Sequence, residues 1–146
     1  MPIWGYLFRV EADITVNGKP TEEWTSVFHL TIDGDNSNYG DRIPAVFINK
    51  DGYFHITSAV NGNRNHHKDF YFDYGRKYHL VIQQVEEDDK ILYKIEVNGE
   101  LIESIENKNA QTFRDVKIYF SDPWFNIFTS DIGLLENIKF YDLSSE

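Results

Sequence analysis

The chain has 146 residues, of which 41% are hydrophobic and 16% aromatic, with no cysteine and a formal net charge of −10. This length and apolar content suit a single domain over residues 1–146 with its own core, and they exclude a disordered chain. The absence of cysteine excludes a disulfide scaffold, a thiolate zinc site and a cysteine nucleophile, and the acidic balance argues against nucleic acid and anionic membrane surfaces as partners.

In chain order, "MPIWGYLFRV" lacks the basic start, apolar centre and small-residue cleavage site of a signal peptide. From there, alternation with period two dominates. In "EWTSVFHLTI" it puts Trp24, Phe28, Leu30 and Ile32 on one face and Thr25, His29 and Thr31 on the other. "YFHITSAV" sets Phe54, Ile56 and Val60 against His55 and Thr57, and "KILYKIEV" alternates Ile91, Tyr93, Ile95 and Val97 against Leu92, Lys94 and Glu96. "VKIYF" and "NIKFYDL" repeat the pattern near the end, and no segment carries a helical stripe. No apolar run approaches the roughly 18 residues needed to cross a bilayer, so no membrane insertion is expected.

The turns agree with strands. "INKDGYF" places Gly52 in a short hairpin, "VEEDDKI" is a second tight connection, and Asn98-Gly99 in "VNGEL" is the strongest short-range hairpin signal. The expectation is an all-β chain of about ten strands folded as one β-sandwich.

The order of these segments resembles a known group. A Trp-bearing strand (Trp24 to Ile32) leads to a loop and "GDRIPAVFI"; then come "DGYFHITSAVNGN", "YHLVIQQ", "ILYKIEVNGELI" and "VKIYFSDPWFN", and finally "GLLENIKFYDL". The pattern is similar to that of the concanavalin A-like lectin and glucanase superfamily, particularly laminin G-like domains, with Gly133, Asn137 and Ile138 fitting the closing motif. The resemblance covers roughly residues 3 to 143. It implies a jelly-roll sandwich of two antiparallel sheets, calcium at rim loops, and an extracellular place as a secreted protein or an ectodomain of a larger one.

Three stretches carry candidate chemistry. The loop "DGDNSNYGD" brings Asp33, Asp35, Asn36, Asn38 and Asp41 within nine residues. Calcium wants six to eight hard oxygens, and this set supplies carboxylates and amides. The loop is not an EF-hand, and its plain alternative is a polar turn whose Asx side chains bond their own backbone. In "NGNRNHHKD", Asn61, Asn63, Arg64 and His66 offer donors for glycan hydroxyls or a carboxylate, or else form a hydrophilic hairpin tip. His66 and His67 point to opposite sides of an extended segment, so by themselves they do not make a zinc pair. In "SDPWFN", Trp124 or Phe125 offers a stacking face or pins its loop to the core, and Asp122 could add a carboxylate to the calcium set. His29, His55 and His79 read as scattered, solvent-facing histidines.

Catalysis is not expected from the sequence. Retaining glycan hydrolysis needs two carboxylates about 5–5.5 Å apart. The hydrolases that the chain resembles carry them as Glu-x-Asp-x-x-Glu, whereas Glu11 and Asp13 are followed by Val16 at the last position. Glu103 and Glu106 are spaced onto opposite strand faces, and no Gly-x-Ser-x-Gly elbow occurs. The reading is a non-enzymatic extracellular binding or adhesion module that recognises carbohydrate or a glycosylated surface through calcium-ordered rim loops. The alternative is a structural protein–protein interaction or self-assembly domain with no small-molecule site.

Overall fold

The computed structural model describes residues 3–120, 124 and 126–144. Two sheets form the body. In one, β13 (Gly133–Asp142), β2 (Phe8–Val16), β7 (Lys77–Glu87), β8 (Lys90–Val97) and β9 (Glu100–Glu106) lie side by side. The other runs β11 (Lys117–Tyr119), β3 (Trp24–Thr31), β4 (Ala45–Asn49), β5 (Tyr53–Val60) and β6 (Asn63–Tyr71), with β12 (Asn126–Ile127) added in parallel to β3. Short strands β1 (Ile3–Trp4) and β10 (Phe113–Arg114) pair apart from both.

Period-two patterning explains how the sheets face each other. Along β2, Phe8, Val10, Ala12, Ile14 and Val16 are buried while the residues between them are partly exposed. They meet Phe28, Leu30, Val46, Ile48, Phe54 and Ile56 from the other sheet, along with Leu80, Ile82, Tyr93, Ile95 and Val97, in one apolar cluster. Burial of this kind contributes roughly 25 cal/mol per Å² of apolar surface, and it is the main force holding the layers together.

The hairpin expectations hold. The β7–β8 turn places Asp88 and Asp89 at φ of 52° and 64°, and β8–β9 turns on Asn98 and Gly99 at 52° and 83°. Both are two-residue turns of the kind whose twist suits paired strands. The sequence pattern misses two features. Residues 61–69, for which a polar hairpin tip was one reading, mostly belong to the edge strand β6, whose polar, partly exposed side chains suit a sheet edge. A bulge between Ser26 and Phe28 also changes the phase of β3. Trp24 pairs with Asn49 and His29 with Ala45, so Trp24 joins the His29 face rather than the Phe28 face.

Candidate functional site

The second face of the six-stranded sheet, turned away from the core, carries the chemistry. Register across β4, β5 and β6 puts Phe47 beside His55, Ala45 beside Thr57, His55 beside Asp69 and Thr57 beside His67. Phe47 is buried but stands outside the core cluster. Its cover is local: the rings of Trp24, His29 and His55 lie 6.5, 5.6 and 6.4 Å away, and the Arg42 guanidinium sits 4.7 Å over its face. Trp24, Arg42, Phe47, His55 and Asn65 line a cleft of about 220 Å³.

Polar groups converge on this cleft. Arg42 donates from Nη1 to Asn65 Oδ1 at 2.9 Å, and from Nη2 and Nε to Asp35 Oδ1 and carbonyl at 2.8 and 3.1 Å. The His55 ring pairs through Nδ1 with Asp69 Oδ1 at 2.7 Å and lies 4.6 Å from the His67 ring. Burial lowers the His55 pKa below its ordinary value, and the neighbouring Asp69 only partly offsets this. His55 is therefore held as a neutral imidazole over most of the physiological range.

The oxygen-rich loop ends on Asp41, which is fully buried. Its carboxylate accepts the backbone N–H of Gly34 at 3.1 Å, Ser37 at 2.9 Å and Asn38 at 2.8 Å. Burial pushes its pKa up, but these donors, with His29 nearby, outweigh that and leave it below the usual carboxylate value. The Asp41 carbonyl in turn accepts from His29 Nε2 at 2.6 Å. Asp35 is paired with Arg42, Asp33 and Asn38 are exposed, and Asn36 Oδ1 is buried with no hydrogen-bond partner among the described residues.

The remaining sequence candidates are dispersed. Asn61 ties the β5–β6 turn to the end of β9, donating from Nδ2 to the Glu106 carbonyl at 2.9 Å and accepting from Lys108 N–H at 2.7 Å. Asn63 Oδ1 accepts the Asn65 N–H at 3.0 Å, and Arg64 Nε donates to the Asn36 carbonyl at 2.6 Å. His66 points between the sheets to Glu103, its ring 5.9 Å from Tyr93, while His67 points the other way. Trp124 is 39% exposed and packs on His29 and Tyr119 at 5.5 and 5.7 Å, so one ring both covers the sheet face and meets solvent. Asp122 and Phe125 lie outside the described residues.

The histidines do not scatter as expected. His29 is buried, His55 is 8% exposed, and both pack on Phe47. His79 alone sits on the other sheet, with Asp13 at 2.7 Å and Glu11 at 3.5 Å. Sequence reading missed Trp24, Asn65, His67 and Asp69 as one group. The Asn61-Gly62 turn alone would set His55 against Lys68; a bulge between Ser58 and Val60 shifts the pairing by one residue and brings Asp69 opposite His55.

No family model and no curated protein matches the chain. Solved structures do. A family 7 alginate lyase in complex with substrate is 18% identical over 98% of this chain and 65% of its own, with a TM-score of 0.58. A Trypanosoma rangeli sialidase is 15% identical over 94% of this chain and 20% of its own, at 0.61. A Bacillus subtilis carbohydrate-binding module, CBM66, is 16% identical over 94% and 76%, at 0.50. The chain thus spans just under two thirds of the lyase and one fifth of the sialidase. It shares their jelly-roll β-sandwich fold.

These likenesses correct the expectation that the chain has no catalytic role, since lyases and a sialidase share its fold. The physical reason is plain. The expectation rested on a missing pair of hydrolytic carboxylates, and an eliminating enzyme cleaves without water attack and does not need that pair.

Proposed function

We propose that the chain handles carbohydrate in the cleft on the outer face of its six-stranded sheet. One observation carries this reading: a half-buried Trp24 stands beside the hydrogen-bonding groups of Asn65, His55 and Arg42 around a single cleft. Trp24 supplies an apolar wall for the C–H face of a sugar ring, and the amide, imidazole and guanidinium groups orient its hydroxyls or carboxylates. The similar solved structures that bind or act on glycans support the same reading. An extracellular place and the laminin G-like closing pattern at Gly133, Asn137 and Ile138 belong to this proposal on the strength of the sequence.

A second reading, cleavage of the bound chain, is favoured by the His55–Asp69 pair. A neutral imidazole steadied by a carboxylate at the cleft wall can accept a proton. A glycan array, together with incubation on alginate and sialosides followed by product analysis, tests both. The reading expects a bound or cleaved glycan with the wild type and loss with Trp24→Ala and Asn65→Ala. Neither binding nor cleavage across both panels would sink it.

A further inference from the structure

We infer that His55, His67 and Asp69 form a binding site for a divalent transition-metal ion of the zinc class. One ligand atom from each of the three lies within 4.8 Å of the others. Among the described residues, no other group of three His, Asp or Glu side chains brings its ligand atoms so close.

The geometry follows from strand pairing. Asp69 is directly opposite His55 across the β5–β6 ladder, and His67, two residues before Asp69, projects from the same face. Three ligands on two paired strands are held more firmly than three on a loop. Zinc binds imidazole nitrogen and carboxylate oxygen near 2.0–2.2 Å, so ligand atoms around a tetrahedral ion stand about 3.4 Å apart. The His55–Asp69 contact at 2.7 Å lies below that spacing, and all three ligand atoms already stand within 4.8 Å of one another.

The donor set suits a borderline cation. Two imidazoles and one carboxylate favour zinc, cobalt or nickel over calcium, which prefers all-oxygen sites. His67 and Asp69 are exposed, so the fourth position opens to solvent beside the cleft. Arg42, which lines the same cleft, is paired with Asp35 at 2.8 Å, and the net charge of −10 favours cation approach. This inference does not rest on sugar binding, although an ion here would present an open coordination position to whatever occupies the cleft.

The test is calorimetric titration of zinc chloride into the full chain after EDTA treatment and dialysis, with cobalt(II) visible absorption as the coordination signature. One equivalent of saturable binding is expected, with the intensified bands of a low-coordinate cobalt site. His67→Asn and Asp69→Asn, both at exposed positions that the fold tolerates, should each weaken binding at least about tenfold. His79→Asn, on the other sheet, should leave it unchanged. No saturable uptake, or equal uptake by the His67 and Asp69 variants, overturns the site. A glycan array run in EDTA keeps the outcomes apart, because carbohydrate binding can persist while the metal site fails, and the reverse.

Discussion

Asn65 Oδ1 accepts two hydrogen bonds at once, from Arg42 Nη1 at 2.9 Å and from the Thr57 hydroxyl at 2.6 Å. A residue of edge strand β6 thereby links the sheet to the loop that Arg42 closes.

Arg42 is 6% exposed and spans Asp35, Asn65 and the Phe47 ring. Arg42→Ala removes the fork and its stacking and leaves Asp35 unpaired, a loss of roughly 2–4 kcal/mol. Arg42→Lys keeps the charge but not the planar fork, so about half that loss is expected. Urea denaturation of the two variants checks the order; an unchanged midpoint for Arg42→Ala would remove Arg42 as the loop's tie.

Asp41 carries a pH prediction. Its folded pKa lies below the ordinary 3.8, so its contribution is complete above that value and disappears as pH falls through the folded pKa. Asp41→Asn should cost about 2 kcal/mol near neutrality, because three N–H donors lose a charged acceptor. The gap between wild type and variant should then narrow as pH falls below about 3.8 and close as it passes through the lower folded pKa. Denaturant melts at pH 7, 4 and 3 measure it, and a gap that stays constant would refute the assignment.

Calcium at the Asp33–Asp41 loop is a separate question. Asp41 is turned to backbone donors and Asp35 to Arg42, leaving Asp33, Asn38 and the buried Asn36 Oδ1 as the oxygens at hand. An ion would have to displace bonds that already close the loop. The same melting temperature in EDTA and in millimolar calcium is expected. A rise with calcium that Asp33→Ala and Asp35→Ala abolish would restore the metal loop.

Gly133 opens β13 where a side chain has no room. A Cβ there would stand 2.0 Å from the Thr15 carbonyl and 2.6 Å from the Phe128 ring. Gly133→Ala should therefore cost about 2–3 kcal/mol or more. Gly99→Ala meets nothing within 4 Å but sits at φ +83°, so about 1 kcal/mol is expected from backbone strain alone. Melting both variants side by side tests the ranking, and equal losses would contradict it.

The closing motif also acquires its reasons here. Gly133 is needed for close approach to β2, and Asn137 sits at φ 53° within the bulge of β13, donating to Asp13 Oδ2 at 2.9 Å. The residue pattern was legible in the chain, while its cause lay in the partner strand.

What the amino-acid sequence determined by itself was everything that depends on near neighbours. Alternation along Lys90–Val97 reads directly as sheet faces, and Asn98-Gly99 reads as a turn because its backbone preference is local. The opposed directions of His66 and His67 follow from the pleat alone. Only the tertiary structure decided the site. A one-residue bulge at Ser26–Phe28 carried Trp24 onto the polar face, and the β5–β6 register set His55 against Asp69 and brought His67 alongside. Side chains fourteen positions apart in the chain meet there because strand pairing, and not sequence spacing, sets the distance between them.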